Sequence, residues 1–175
     1  MATTPTRLMT FEEFEKLPDH PHGLHYELRH GQPLLVPPPI HKHYLVQRRL
    51  MRLLERSAAD AGEVGTKFGF RPNEYEYRIA DVVFLAKDRW DNIDKYLLSS
   101  PDLVIEVLSP SNPAAEIRDK RKLCLETGSR EFWVVDVDRR EVAVSAIGGA
   151  SITYASGQEI PLLFGGRLAV DEIFS

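Results

Sequence analysis

Hydrophobic positions along the chain change period several times, and each change marks an element. Phe11, Phe14 and Leu17 recur at helical spacing, and Thr10 with Glu13 has the spacing of a capping box, so a short helix ending near Pro18 is expected. Asp19 to Gly23 reads as a loop. Leu24 to Leu28 and Gln32 to Val36 form a hairpin pattern around Arg29, His30 and Gly31, with the glycine at the turn, and Pro37, Pro38 and Pro39 end it. From His41 to Ala59 the period is helical. Val46, Leu50, Leu53, Leu54 and Ser57 share one face, which His43 and Gln47 extend backward. Arg48, Arg52 and Arg56 recur every four residues as a basic stripe, a pattern that a solvated face explains without a ligand.

Gly62 and Gly65 end that helix. Short strands are expected at Thr66 to Phe70 and Glu74 to Tyr77 around a turn at Arg71, Pro72 and Asn73, followed by a separate strand, Ile79 to Leu85, that carries Asp81. Lys87 to Ser100 has no assignable period. Pro101 to Ser109 is an unbroken apolar run, the signature of a strand covered on both faces, and Glu106 sits inside it. After the loop Ser109 to Pro113, the proline opens a helix to about Thr127 that Gly128 closes. Glu131 to Val137, Glu141 to Ile147 and Ser151 to Tyr154 read as strands, and Val170 to Phe174 as a closing helical turn. The succession describes an α/β fold, a mixed sheet flanked by helices, with an N-terminal helix and β-hairpin. No repeat, linker or glycine-rich phosphate loop interrupts it, and 175 residues suit a single domain over positions 1–175.

Composition narrows the setting. The lone Cys124 cannot form an internal disulfide, and no apolar run approaches the roughly 18 residues of a membrane span, so a cytoplasmic, membrane-free protein is expected. A net charge of −4 weighs against strong nonspecific binding to nucleic acid, although a local basic stripe or a bound divalent cation overrides net charge.

The chemistry is in the apolar segments. Strand alternation puts Glu106 on one face with Asp102, Val104 and Leu108, inside a layer where a carboxylate needs a partner, a proton or a metal. Asp81 lies in the other apolar strand. Lys120 shares a helical stripe with Ile117, Leu123 and Cys124 and so projects from the apolar face of its helix. Two converging carboxylates suit magnesium, which takes few carboxylates and completes its shell with water and phosphate oxygens. A nearby ammonium can orient an attacking water or neutralise charge developing on phosphorus. The structural alternatives are a core ion-pair cluster, a lysine snorkelling to water, and an i,i+4 pair between Glu116 and Lys120. Cys124 reads as a small core residue, and a zinc reading of His20, His22, His41 and His43 lacks further paired ligands.

These residues resemble the Uma-type restriction endonuclease group of the PD-(D/E)XK nuclease superfamily over nearly the whole chain. The resemblance includes Met9-Thr10-Phe11-Glu12-Glu13-Phe14, Tyr26-Glu27-Leu28 with Gly31, and the proline run followed by His43. It continues through Ala80-Asp81-Val82-Val83-Phe84, the segment from Pro101 to Ser111, Lys120 with Gly128, Glu131 to Asp136, and Pro161-Leu162-Leu163. It implies a restriction-endonuclease-like fold and hydrolysis of phosphodiester bonds in nucleic acid, with DNA the expected substrate and Mg2+ (or Mn2+) the cofactor. Asp81 and Glu106 would be the metal-binding acids, with the Val107 carbonyl as a further ligand. The superfamily lysine usually stands two residues after the second acid, where this chain has Leu108; in this group it is moved to the helix, and Lys120 matches it. Glu27 would be an accessory acid, with His43 and Glu116 in supporting places. Ala80 stands for the group's usual proline, Cys124 for a tyrosine and Glu116 for an aspartate. Two other functions fit the same residues: a catalytically silent binding or assembly module built on an ion-pair cluster, and a metal-dependent hydrolase of another phosphoester. A symmetric homodimer is the commonest assembly for an enzyme that cuts two strands.

Overall fold

The computed structural model describes residues 7–20, 24–38, 40–109 and 113–175. Most of the expected loop after Pro18 (residues 21–23), Pro39 of the proline run, and residues 110–112 of the loop before Pro113 lie outside the described residues.

The N-terminal helix α1, Phe11–Phe14, is shorter than its hydrophobic spacing suggests, but its capping box is present: Thr10 Oγ1 accepts the Glu13 N–H at 3.4 Å and Glu13 Oε2 accepts the Thr10 N–H at 3.0 Å. Strands β1, His25–Arg29, and β2, Gln32–Val36, pair antiparallel with Arg29 opposite Gln32. That register leaves a two-residue turn, tighter than the three residues expected. His30 and Gly31 both take left-handed backbone, with φ of 49° and 72°, which matches the twist of a hairpin.

Helix α2, His41–Ala58, buries His43, Val46, Gln47, Leu50, Leu53 and Leu54 as its period predicts. Ala58 completes the face in place of Ser57, whose hydroxyl turns back to the Leu53 carbonyl at 3.1 Å. Arg48, Arg52 and Arg56 are exposed.

The largest departure from expectation follows α2. The three short strands are two long ones, β3, Gly62–Asn73, and β4, Glu76–Ala86, joined in one hairpin. Gly62 begins the first of them, because only a residue without a side chain fits there: a Cβ would come within 2.1 Å of the Leu85 carbonyl oxygen. Pro72 is absorbed where the register shifts between Phe70 and Asn73, so the turn falls later than expected.

A single helical turn, α3 (Lys87–Trp90), occupies part of the stretch without a period. Strand β5, Leu103–Val107, is buried at every residue and runs parallel to β6, Glu131–Asp136, the two connected through helix α4, Ala114–Glu126. Strands β7, Glu141–Ala146, and β8, Ser151–Tyr154, follow by antiparallel hairpins. A small sheet of β9, Glu159–Pro161, and β10, Arg167–Ala169, leads into the closing helix α5, Val170–Phe174.

The main sheet is mixed, in the order β2-β1-β4-β5-β6-β7-β8, with β3 paired to β4. Alternation along β5 splits the core in two. Leu103, Ile105 and Val107 pack in the cluster that includes Leu50 and Leu54 of α2, whereas Val104 packs with Cys124 of α4 and Phe132. Both faces of β5 are thus dry, which sets the terms for Glu106.

Candidate active site

β4 gives one edge to β3 along its length and shares the other between two strands. On that second edge β1 meets it at Leu28 opposite Tyr77, and β5 meets it from Val82 to Phe84. The two strands diverge between those points, and the stretch Ile79–Asp81 faces the fork with no strand ladder of its own.

Backbone groups left this way must find other partners, and three are taken by side chains of the candidate site. The Ile79 N–H donates to Glu27 Oε1 at 2.8 Å, the Ile79 carbonyl accepts from Lys120 Nζ at 2.7 Å, and the Asp81 N–H donates to Glu106 Oε1 at 3.4 Å. From the far side, the Val107 N–H donates to Asp81 Oδ2 at 2.9 Å. Residues from β1, β4, β5 and α4 therefore meet where the sheet splits, because they complete it.

Lys120 lies at the centre of the charges. Its ammonium is 2.8 Å from Glu106 Oε1 and 3.6 Å from Glu27 Oε1. The second Glu27 oxygen accepts from Arg29 Nε at 2.7 Å, and the other end of the Arg29 guanidinium is 2.8 Å from Glu116. Glu116 thus pairs with Arg29 on the hairpin, and the i,i+4 pair with Lys120 considered from the sequence does not form. His43 is hydrogen-bonded through Nε2 to the Leu108 carbonyl, just past the end of β5.

The electrostatics follow from burial. Loss of water pushes the Glu106 carboxyl up to about 7; Lys120 opposes this, while Asp81 and Glu27 reinforce it. Burial pulls the Lys120 ammonium the other way, but Glu106, Glu27 and Asp81 outweigh it and hold its pKa above the ordinary value. Glu27 is also deeply buried, yet Lys120, Arg29 and the Ile79 N–H keep its carboxyl below the usual range. Cys124 is a fully buried core residue, and burial pushes its thiol up to about 12, which suits no nucleophile.

Asp81, Glu106 and Lys120 open on a cavity of about 870 Å³, walled on the other side by the hairpin and the start of α2. Leu34, Leu35, Ile40 and Tyr44 line this cavity while remaining exposed, and Arg48 reaches it from the basic stripe. The cavity also holds a residue that sequence reasoning missed. Lys67 of β3 lies 2.5 Å through Nζ from Asp81 Oδ1. Its place opposite Asp81 is visible only once Thr66 is paired with Val82 and Phe68 with Ala80.

Among the described residues, no three histidine, cysteine or acidic side chains gather as a metal-binding group. The available donors are the two carboxylates of Asp81 and Glu106, with the Val107 carbonyl on the same strand end as Glu106. This hard, oxygen-only and ligand-poor set fits magnesium or manganese rather than zinc.

The family model of Uma2, described as "Putative restriction endonuclease", matches residues 11–162. The fold is shared with the crystal structure of a "putative nuclease belonging to DUF820" from Anabaena variabilis ATCC 29413, at a TM-score of 0.85 and 20% sequence identity, covering 95% of this chain and 97% of that one. No curated protein matches the chain at a significant level. No helix among the described residues is long and apolar enough to cross a membrane.

Proposed function

The chain belongs to the Uma2 putative restriction endonuclease family, and from that premise we propose that it hydrolyses phosphodiester bonds of DNA with the help of Mg2+ or Mn2+. The observation that carries this reading is the fork itself: two acids and a lysine, with Glu106 and Lys120 buried and Asp81 partly buried, presented together to one face of a large open cavity.

Asp81 and Glu106 would hold the cation, with the Val107 carbonyl as a further oxygen ligand. A bound divalent ion supplies a lowered pKa for water and stabilisation of charge on the phosphoryl oxygens. The chain's own residues supply position. Lys120 is anchored by the Ile79 carbonyl and Glu106 Oε1, so its charge stays at one point of the cavity wall, where it can orient the attacking water and meet charge developing on phosphorus. The water oxygen bonds to phosphorus and gives up a proton to solvent, the bond from phosphorus to the ester oxygen opposite breaks, and that oxygen takes a proton from solvent. Glu27 holds the Ile79 peptide and attracts Lys120, so it acts as a positioning residue. His43 does the same for the end of β5 through the Leu108 carbonyl. Arg48 adds an exposed positive charge to the cavity, where Arg29 and Lys67 are paired with Glu27, Glu116 and Asp81, so the approach of a polyanion would rest on the bound cation as well as on these side chains.

The silent-module reading draws on the near-complete pairing of the site's polar groups. The cavity beside Asp81 and Glu106 is the space that reading does not require.

The test is cleavage of supercoiled plasmid in Mg2+ or Mn2+, with an identically prepared Asp81→Ala protein and a chelator control. Cleavage by the native chain that is lost in both controls supports the reading. Absence of cleavage together with absence of metal binding overturns it in favour of the ion-pair module, and metal binding without cleavage redirects it to another phosphoester.

A further inference from the structure

Two lysines point at the acids of the site, and their surroundings differ. Lys120 has a side chain 8% exposed, bound to the Ile79 carbonyl and Glu106 and with Glu27 at ion-pair distance. Lys67 has a side chain 42% exposed, and Asp81 is its one ion-pair partner among the described residues. The oxygen it holds is the one that matters: Asp81 Oδ2 is committed to the Val107 N–H, so Oδ1 is the oxygen free to serve something else, and the Lys67 ammonium sits on it at 2.5 Å.

The backbone adds a second, independent observation. Lys67 lies in the middle of a long strand, yet its φ is +51°, a left-handed conformation that a residue with a side chain adopts at a cost. Nothing about chain reversal calls for it, since β3 resumes at Phe68 opposite Ala80 in the register it had at Thr66 opposite Val82; only Lys67 and Asp81, between them, drop out of the strand pairing. What accompanies the strained residue is a cation placed over Asp81. Strain of this kind persists where surrounding structure imposes it, and it gathers at functional sites.

We propose that Lys67 is an exchangeable cation: its ammonium occupies Asp81 Oδ1 while the metal is absent, is displaced when the metal binds, and then takes a non-bridging phosphate oxygen of the substrate. The inference rests on the metal-dependent reading above. An ammonium and a divalent cation cannot share one carboxylate oxygen without strong repulsion, so their occupancies exclude one another. A lysine suits the exchange, because its charge is a compact point on a flexible stem and is readily rehydrated during the transfer. Lys120, locked by buried acceptors, could not move in this way.

The experiment is calorimetric titration of Mn2+ into the metal-free full chain, the Lys67→Met variant and a Lys67→Arg variant, with Asp81→Asn as the blank. Lys67→Met should bind Mn2+ tighter by about two- to fivefold, the strength of a part-exposed ion pair, while its KM for supercoiled plasmid rises more than its kcat falls. Lys67→Arg should keep the weaker, native-like Mn2+ affinity. A Lys67→Gly variant, which removes the ammonium and suits the left-handed backbone, should repeat the tighter binding if Lys67→Met folds poorly. Equal or weaker Mn2+ binding by both Lys67→Met and Lys67→Gly, or an unchanged plasmid KM, overturns the role of Lys67 and leaves the metal reading standing. No Mn2+ binding by any of the proteins sinks both.

Discussion

Asp81 and Glu106 are joined through each other's backbone. Glu106 Oε1 accepts the Asp81 N–H at 3.4 Å, and Asp81 Oδ2 accepts at 2.9 Å the N–H of Val107, the residue after Glu106. The β4–β5 ladder stops at Val82 and Ile105, and this exchange continues it with side chains where the strands have separated. Each acid is therefore part of the sheet as well as part of the site, which governs how variants must be compared.

The pH dependence of stability should carry the signature of Glu106. Burial raises its carboxyl from an ordinary 4.5 to about 7, so the folded chain binds this proton more tightly than the unfolded one. The stabilisation is complete below about 4.5, declines as pH rises, and is lost through about 7. In chelator, the native chain should lose on the order of 2–3 kcal/mol between pH 5 and pH 8 relative to Glu106→Gln, which keeps the shape and cannot ionise. Urea denaturation of both proteins at the two pH values measures this. A difference that does not change with pH would show that burial does not control the group.

Lys120→Met should destabilise the fold by about 3–5 kcal/mol, because it leaves buried Glu106 and Glu27 facing each other without the ammonium and strips the Ile79 carbonyl of its donor. Adding Glu106→Gln should recover part of the loss, since the charge left behind is then removed. The urea midpoints of the two single variants and the double variant form a cycle that reads the coupling directly. Simple additivity would mean that the two side chains do not act as a pair.

The Cys124 thiol, pushed up to about 12 by burial, should resist alkylation in the native protein. At pH 8 its reaction with iodoacetamide should be slower by about two orders of magnitude or more than in denaturant, where a free thiol is partly ionised and open to the reagent. Mass spectrometry of timed samples measures both rates. Comparable rates would place α4 away from the sheet and take Lys120 with it.

Glu106 and Lys120 were legible in the sequence because each interrupts an apolar pattern, and a charge on a dry face stands out. Glu27 was not legible in that way. Its strand mixes buried and exposed positions, and only the resemblance around Tyr26-Glu27-Leu28 singled it out. Lys67 gave no local signal at all, since an exposed lysine on a strand is ordinary. Its meaning comes from the pairing of β3 with β4, a long-range register that no short window contains. The same limit explains the long hairpin. Gly62 and Pro72 read as breaks in the chain, whereas one permits a close approach to Leu85 and the other rides on a bulge. Strands β9 and β10 have three residues each, too few for any period to show.

The fork also decides which positions would keep a memory of the activity. A descendant of this chain that no longer cut anything would still need Glu27, Glu106 and Lys120, because the Ile79 and Asp81 peptides depend on them to close the sheet. Their presence in a relative speaks first for folding. Lys67 carries no such duty: it is open to solvent, it holds one carboxylate oxygen, and its backbone would be easier with a glycine. Where the chemistry has lapsed, position 67 is free to drift, and a lysine retained there against its own backbone marks a lineage in which the site is still in use.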